Sequence, residues 1–525
     1  MKTIQKRMIA LALLSLCGAW GAWGQSASRK VTTAQRHCVL TVNPLEKYTG
    51  TASALNGNAT SALRAVDYGD GFGGLGQRVR LGVTPSGRDL VERYSYDALG
   101  RESAVMLPVP GEGTDNLIPR LDLLGQARTY YGQQRVERTQ TYEPSLRNLP
   151  LEAEAAGDAW ADKPVSLTYA VNRNDAPELA CLRYPVDYWG ELQAPSPYPD
   201  GSLKVTCTTD EDGKRSWEFT DGKDRTVLLR TQSAPGVYEE TYYVYDLFDN
   251  LHFVLTPEYQ RSGDLLKHAY EYQFDDRDRM VASRRPGEEF TSYTRDYTDR
   301  IILMQTGKQR AEGKQTFQLY DAMGRLCVQG ECRNTESTYA LMWETITTTY
   351  QGSGGVGNTG YVTSLELVEP EVQLVNYYDT YAFTSLAGFS SLPALSGQAD
   401  ATGYLTGTRL RAEGSEDYVY LVNGYDMKGR LTQAVQGNLL GGHDVTTTVY
   451  TFTGKPAVVS HTHTASGKPA LTEVTTYTYD HAERLTKVEH TLGGVTVTLV
   501  DNVYDELGRL QSKTPHGNTA LAQSY

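Results

Sequence analysis

Glycines at positions 71, 73 and 76 form the pattern Gly-x-Gly-x-x-Gly, which in some proteins binds a pyrophosphate. A dinucleotide site needs this pattern between a strand and a helix, so that the phosphates meet the helix N-terminus. Strand-like sequence (QRVRLG) follows it in this chain of 525 residues. A glycine-rich turn is therefore the favoured interpretation, and a nucleotide site is the lesser one.

Two histidines separated by one residue could supply half of a metal site. His461 and His463 would place both imidazoles on one face of a strand. His443, His481 and His490 belong to the same group of predicted hairpins, but the spacing positions no third ligand. Exposed strand histidines are the favoured interpretation.

The run DEDG at Asp210–Gly213 begins like a calcium-binding loop. Lys214 and Arg215 stand where an EF-hand needs an Asp or Asn ligand and then a glycine. We therefore reject an EF-hand there. The sequence also contains no Gly-x-Ser-x-Gly, no His-Glu-x-x-His and no cysteine beside a plausible histidine partner. The prediction is that the chain has no catalytic, cofactor-binding or metal-binding residues.

A short phrase, Tyr-Asp-x-x-Gly-Arg-Leu, recurs along the chain and indicates a repeat architecture. Nearly complete copies are YDALGRE at Tyr96–Glu102, YDAMGRL at Tyr320–Leu326, YDMKGRL at Tyr425–Leu431 and YDELGRL at Tyr504–Leu510. Worn copies are YDLFDNL at Tyr245–Leu251, FDDRDRM at Phe274–Met280 and YDHAERL at Tyr479–Leu485.

The phrase has the chemistry of a tight turn. Its Asp can accept hydrogen bonds from backbone N–H groups two or three residues later, and its Gly can adopt a positive φ without penalty. Asp249, Asp278 and Glu483 replace this Gly. Because Asp tolerates positive φ better than most residues, we expect only the Glu483 turn to be distorted. The predicted structural turn residues are Asp97, Gly100, Arg101, Asp246, Asp275, Asp321, Gly324, Arg325, Asp426, Gly429, Arg430, Asp480, Arg484, Asp505, Gly508 and Arg509.

The sequence on either side of these turns predicts strands. Aromatic and β-branched residues alternate with polar ones before and after the turns, a pattern that suits a half-buried pleated surface. The predicted fold class is all-β: a long strip of stacked antiparallel β-hairpins, open or partly closed, with little helix. The best short-helix candidate is Leu149–Ala156, and Asp122 with Gly125 could form an eighth worn turn.

Composition excludes some partners. The net charge is −13 and the pI is about 5.3, without a long Lys/Arg run, which argues against nucleic acid. There are 36 Tyr against 10 Phe and 6 Trp, which suits sheet faces near water with solvated hydroxyls. No segment after the N-terminus is apolar enough to span a membrane.

The N-terminus has the pattern of a secretory signal. Basic residues precede an apolar stretch at Met8–Cys17, and small residues follow, which predicts cleavage near Gly24–Gln25. Lipidation of Cys17 is a weaker alternative, because Leu16 precedes it where a small residue is expected. The chain is therefore expected to be exported to the cell surface, the periplasm or the medium.

Five cysteines remain after that segment, too few for a disulfide scaffold. Cys327 and Cys332 could form a disulfide if Gln329-Gly330 turned a small hairpin between them. Two unrelated thiols are the alternative.

These segments resemble the YD-repeat, or Rhs-repeat, proteins of the Bacteroidetes type. The resemblance rests on the repeated phrase and on the segments TYEPSLRN, TDEDGKRSWEFTDG, YLTGTRLRAEG and NGYDMKGRLTQAVQGNLLGG, and it covers most of residues 65–525. It implies an Rhs-type N-terminal domain at 66–160 and a YD-repeat strip at 161–525. The residue pattern itself predicts the signal peptide at 1–24, and the polar, weakly patterned composition of residues 25–65 predicts an exposed lead-in.

The resemblance also implies a function. Such repeats build a hollow shell that, in related toxins and surface proteins, encloses or presents a variable C-terminal domain. No DPxG-like motif occurs here, so the chain is expected to be the N-terminal portion of such a shell, with a protein partner or a C-terminal continuation. The alternatives are a surface adhesin or glycan-binding protein, and an enzyme.

Overall fold

The computed structural model describes residues 27–33, 36–46, 62–111, 122–334, 344–397 and 401–525. The predicted signal peptide and Cys17 lie outside the described residues. Two compact units are present: Met1–Gly132 with Thr448–Ser460 and Glu473–Tyr525, and Gln133–Thr447 with His461–Thr472.

Strands dominate the described part of the chain. The first half contains β1 (Ala27–Thr33), β2 (Arg36–Pro44), β3 (Ala62–Gly69), β4 (Leu75–Leu81), β5 (Leu90–Tyr96), β6 (Glu102–Met106), β7 (Val109–Pro110), β8 (Glu137–Tyr142), β9 (Pro150–Glu154), β10 (Val165–Val171), β11 (Leu182–Arg183), β12 (Ser196–Pro197), β13 (Lys204–Thr209), β14 (Arg215–Thr220), β15 (Thr226–Ala234), β16 (Val237–Tyr245) and β17 (Leu251–Leu255).

The second half continues in the same way. It contains β18 (Ala269–Phe274), β19 (Met280–Arg284), β20 (Thr291–Arg295), β21 (Ile301–Gln305), β22 (Lys314–Tyr320), β23 (Leu326–Arg333), β24 (Thr348–Tyr350), β25 (Tyr361–Thr363), β26 (Val368–Asp379), β27 (Ala401–Arg411), β28 (Tyr418–Tyr425), β29 (Leu431–Gly437), β30 (His443–Tyr450), β31 (Pro456–His463), β32 (Leu471–Tyr479), β33 (Leu485–Leu492), β34 (Val495–Tyr504), β35 (Leu510–Pro515) and β36 (Gln523–Ser524).

Helices are few and short among the described residues. The α-helices are α1 (Leu123–Tyr131), α2 (Pro257–Ser262), α3 (Leu265–His268) and α4 (Gly307–Ala311). Single 3-10 turns occupy Asp158–Trp160, Val356–Asn358, Ala382–Ser385, Phe389–Ser391 and Thr519–Leu521. No described helix is long and apolar enough to cross a membrane.

Nearly every strand pairs antiparallel with the next one in the chain. In the first unit β1 to β5 pair in succession, β6 and β7 both pair with β5, and β33 to β36 pair in succession. In the second unit the succession runs from β8 to β10, from β13 to β23 and from β26 to β30. This confirms the predicted all-β class with sequential antiparallel hairpins and little helix.

Two apolar clusters form the core of the second unit. One surrounds Trp217 and Phe219 of β14 and draws buried residues from the strands β13 to β18. The other surrounds Tyr377, which stacks on Phe383 with ring centroids 4.4 Å apart. Aromatic side chains supply much of the buried area in both clusters.

The helix predicted at Leu149–Ala156 and the repeat turn predicted at Asp122 and Gly125 are both wrong. The Leu149–Ala156 candidate contains β9, which pairs with both β8 and β10, so sheet pairing overrides the helix propensity of its Ala and Glu residues. Asp122 and Gly125 do not form a hairpin turn: Asp122 caps helix α1 and accepts the Gly125 N–H at 3.2 Å.

The segment predicted as an exposed lead-in contains β2, which pairs with strands on both sides. Cys38, Leu40 and Val42 alternate along it and are buried. The prediction of an exposed lead-in is therefore wrong for residues 38–42, because alternate side chains of β2 belong to an apolar core.

The predicted disulfide is also wrong. Cys327 and Cys332 lie on the same strand, β23, and both are free and buried. Five residues of extended strand separate their Cα atoms by about 16 Å, well beyond disulfide reach. Gly330 makes no turn: a Cβ there would lie 2.2 Å from the Glu371 carbonyl oxygen of β26, so the glycine permits close strand approach.

Candidate functional site: the ladder of turns

The first copy of the phrase shows how each turn is built. The Asp97 N–H donates to the Arg101 carbonyl at 2.8 Å, and the Gly100 N–H donates to the Asp97 carbonyl at 3.0 Å. Gly100 has a φ of +77°, and the strand register shifts between Ser95 and Tyr96. This is a three-residue hairpin loop, in which a type I turn is followed by a left-handed residue and a bulge.

The same two hydrogen bonds recur at every copy of the phrase. Turns of this geometry begin at Asp97, Asp246, Asp275, Asp321, Asp426, Asp480 and Asp505. Six further turns of the same geometry, which the repeated phrase does not identify, begin at Thr84, Asp187, Asp210, Asp221, Asp296 and Thr451. Of these, the Asp-Gly pairs at Asp212-Gly213 and Asp221-Gly222 predict turns from the sequence, but not turns of the repeat type. Most of the six turns lack the preceding Tyr, but they keep Asp or Thr first, Gly or Asp fourth, and usually Arg or Lys fifth. That shorter pattern could have found them.

Each aspartate uses its carboxylate twice. Asp275 Oδ1 accepts the Arg277 and Arg279 N–H groups at 2.9 and 3.0 Å, and Oδ2 accepts the Arg279 Nε at 2.8 Å. Burial alone would raise the pKa of Asp275, but these hydrogen bonds outweigh it and hold the pKa below its ordinary value. The Arg279 and Asp275 side chains are only 9% and 12% exposed. This ion pair is therefore largely shielded from water.

The Glu483 turn is not distorted, contrary to expectation. Its two defining hydrogen bonds are both 2.9 Å long. Glu483 adopts a φ of +61°, close to the +57° of Asp278. The side chain is accommodated because the Thr453 hydroxyl and the Lys455 ammonium, from the preceding turn, contact its carboxylate.

Four of the five acidic residues in the fourth position of a described turn bind a polar or basic residue of an earlier turn, and the fifth, Asp224, binds Lys204 of β13. Asp249 accepts Lys223 Nζ at 2.5 Å and Arg225 Nη1 at 2.6 Å. The other examples are Asp278 with Asn250 at 2.9 Å and Asp299 with Arg279 at 2.7 Å. Replacement of the glycine thus adds a contact between successive turns instead of degrading the repeat.

In most copies of the phrase the tyrosine also contacts an earlier hairpin, whereas the Tyr320 hydroxyl donates to Gln318 of its own strand. The Tyr245 hydroxyl donates to the Thr226 carbonyl at 3.2 Å, and the Arg225 guanidinium lies over the Tyr245 ring at 4.6 Å. Equivalent hydroxyl donations link Tyr425 to Leu405, Tyr479 to Pro456 and Tyr504 to Leu485 at 2.7–2.9 Å. The predicted solvation of these hydroxyls is wrong. Burial raises the pKa of Tyr245, which keeps the phenol protonated as a donor.

In the first unit, the two last turns bind the loop between β4 and β5. Glu506 accepts Arg88 Nη2 at 3.0 Å, and the Gly82 carbonyl lies 2.9 Å from His481 Nε2. The Arg484 guanidinium donates to the Val83 carbonyl at 2.7 Å. His481 and Glu506 occupy the second position of their turns, which varies between copies of the phrase. In these two turns that position makes a tertiary contact.

The other candidate residues lie in ordinary surroundings. The Gly-x-Gly-x-x-Gly run connects β3 to β4 without a helix, so it does not form a dinucleotide loop. His461 and His463 both face Asp444, with nitrogen-to-Oδ1 distances of 3.5 and 2.6 Å. Within the described ranges, no group of three or more His, Cys, Asp or Glu residues is arranged to hold a metal ion. Asp210 caps a repeat-type turn.

A family model described as a domain of unknown function (DUF6443) matches residues 41–171. No curated protein matches the chain. Among solved structures, the chain is similar to crystal structures titled TcdB2-TccC3 and TcdB2-TccC3-TEV, with TM-scores of 0.46 and 0.45 and 13% identity in both cases. The two alignments include 91% and 98% of the residues of this chain. They include only 23% and 24% of the two solved chains, so this chain spans about a quarter of their length.

The arrangement of the turns is suited to structure more than to reaction. The turn carboxylates already accept backbone and guanidinium hydrogen bonds, which leaves them poorly placed as general acids or bases. Together these contacts fix the strand register between neighbouring hairpins. The alternation of apolar and polar side chains along a strand specifies that register only in part.

Proposed function

We propose that this protein is a non-enzymatic structural and interaction protein whose hairpins form part of a YD/Rhs-type shell. The shell would enclose or present a protein partner or a C-terminal effector. Export by residues 1–24 would place it at the cell surface, in the periplasm or outside the cell. We infer that an Rhs-type N-terminal domain spans 66–160 and that the YD-repeat strip spans 161–525.

The observation that carries this proposal is the contact from one turn to the next. Successive hairpins are joined by strand pairing and also by the tyrosine hydroxyls and the fourth-position carboxylates. Repeats that contact only their neighbours gain stability from each such interface. A wall that must stay closed around a cargo needs this resistance to local opening.

A protease-protection experiment tests the proposal. An unstructured, protease-sensitive reporter is fused after Tyr525 of the full chain, and its digestion is compared with that of the free reporter. Digestion at least tenfold slower than that of the free reporter supports enclosure. Digestion at the free rate, while the hairpins remain resistant, overturns it.

Export is tested separately. The full chain and a variant lacking residues 2–24 are produced in a bacterial host, and the cell fractions are assayed by immunoblot. Export of the full chain alone, with mass spectrometry placing the new N-terminus near Gln25, supports the localisation. Retention of both forms in the cytoplasm contradicts it.

A further inference from the structure

A cleft of about 240 Å³ lies in the second unit, beside the turn that begins at Asp246. One wall is formed by residues 182–186 and Tyr198, and the other by β15, β16 and the Asp246 turn. The cleft is smaller than the ~300–1,000 Å³ typical of pockets for drug-sized ligands, so it suits a small ring with polar substituents.

A hairpin that continues from one wall of this cleft carries two exposed aromatic side chains. Tyr188 and Trp189 form the tip of the hairpin that leads from the wall residue Val186, and they are 79% and 83% exposed. Their rings lie edge to face, with centroids 5.3 Å apart.

The tip that carries these two rings is held in place. Asp187 Oδ1 accepts the Trp189 and Glu191 N–H groups, both at 2.9 Å. Gly190 packs against the ring of His252, which leaves no room for a side chain there without a shift: a Cβ would lie 3.0 Å from the imidazole. The exposed rings are therefore presented on a fixed turn, which reduces the entropy cost of binding.

The basic residues of the cleft differ in their partners. Lys223 and Arg225 are both paired with Asp249. Arg183 is exposed and forms no ion pair with any described residue, although it lines the same cleft. An unpaired guanidinium presents a planar fork that matches a carboxylate bidentately.

We propose that this cleft binds an acidic saccharide, with one carboxylated sugar ring held by Arg183 and an adjoining ring stacked on Trp189 and Tyr188. The Tyr198 side chain, which lines the cleft beside Arg183, supplies a hydroxyl for a ring oxygen. Aromatic rings with an apolar body and a polar tip suit a ligand that has C–H faces and hydroxyl edges. This site goes beyond the proposed shell function and does not depend on it.

The test uses the full chain and two matched probes, tetragalacturonate and the neutral cellotetraose, in calorimetric titrations. Saturable binding of tetragalacturonate, at least tenfold tighter than that of cellotetraose, is expected. Arg183→Gln should abolish this preference, and Trp189→Ala should weaken the binding of tetragalacturonate at least tenfold.

Two control variants keep the test specific. Met427→Ala removes a side chain that is 89% exposed in a turn elsewhere, and Arg333→Gln removes an exposed arginine outside the cleft. Both should bind tetragalacturonate like the parent chain. Absence of saturable binding at millimolar probe, equal affinity for both probes, or parental binding by Arg183→Gln and Trp189→Ala overturns the proposal. Reporter protection by these variants should stay unchanged, which separates this site from the shell function.

Discussion

The turns that begin at Asp246 and Asp321 have the same backbone but different means of contact with their neighbours. In the first, the fourth residue is Asp249, which binds two cations of an earlier turn. In the second it is Gly324, and Arg300 instead donates to the Asp321 carbonyl at 3.4 Å. The left-handed conformation of the fourth residue, at +74° and +77°, is common to both. The fourth residue of a turn can therefore either minimise backbone strain, as a glycine, or make an ionic contact, as an aspartate.

The first aspartate of a turn should have the largest effect on stability. Asp275→Ala removes two backbone caps and the Arg279 hydrogen bond, and it should lower the free energy of unfolding by about 2–3 kcal/mol. Asp210 accepts the same two backbone hydrogen bonds in its turn. Within the described structure, however, the Lys214 ammonium forms no ion pair with the Asp210 carboxylate. Asp210→Ala should therefore cost only about 1 kcal/mol. Thermal and urea unfolding of both variants measures the difference; equal losses would show that the guanidinium contributes nothing.

Acid should weaken the same turns. The pKa values of Asp221, Asp275, Asp296 and Asp426 are held below the ordinary value: burial opposes this, but hydrogen bonds from the following arginine and from backbone N–H groups outweigh it. A carboxyl whose folded pKa is depressed stabilises the fold fully above its unfolded pKa of about 4, and this contribution is lost as pH falls through the folded value.

Urea midpoints measured between pH 7 and pH 2.5 check this expectation. The midpoint should be nearly flat above pH 5 with respect to these groups and should fall below about pH 4. Asp275→Asn should reduce that fall, because one of the titrating carboxylates is absent. An unchanged acid profile in this variant would contradict the assignment.

How much of this could be read from the sequence depends on the range of each interaction. The Asp-x-x-Gly turn is local, so its chemistry predicted the hairpins at Asp97 and Asp321 and, with them, the all-β class. The partner of Asp249 comes from 24 and 26 residues away, and the sequence contains no sign of which earlier residue it meets. From the sequence alone, the copies in which Asp249, Asp278 or Glu483 replaces the glycine therefore look like degraded repeats.

The wrong predictions have similar causes. The Cys327–Cys332 disulfide required a turn at Gly330, but the strand β23 continues through it because β26 approaches closely. Asp122 and Gly125 imitate the phrase, yet an Asp side chain that accepts a nearby N–H can cap a helix as well as a turn. Local chemistry that serves two structures is decided by what the following residues pack against.

A smaller effect separates two acidic residues in the fourth position. Asp224→Gly relieves a φ of +59° and gives up only an exposed ion pair with Lys204, so it should stabilise the fold by about 0.5 kcal/mol. Asp249→Gly relieves a similar strain but releases both Lys223 and Arg225, so it should be neutral or destabilising. Because salt screens exposed ion pairs, the difference between the two variants in the free energy of unfolding should become smaller at 1 M salt. A persistent gap at high salt would point to packing instead.

The smallest expected effect comes from placing an acidic residue in the fourth position of a turn that now has glycine there. Gly508 has a φ of +77°, and a Cβ placed there would lie 3.1 Å from Arg484 Nη1. Gly508→Ala should cost about 1 kcal/mol, because it adds the left-handed strain without a new contact. Gly508→Asp adds the same strain but offers a carboxylate to Arg484, so it should cost less than half as much at low salt and approach the alanine value at 1 M salt. Equal instability of the two variants at low salt would contradict this expectation. The contact between a fourth-position carboxylate and an earlier turn would then not contribute to stability.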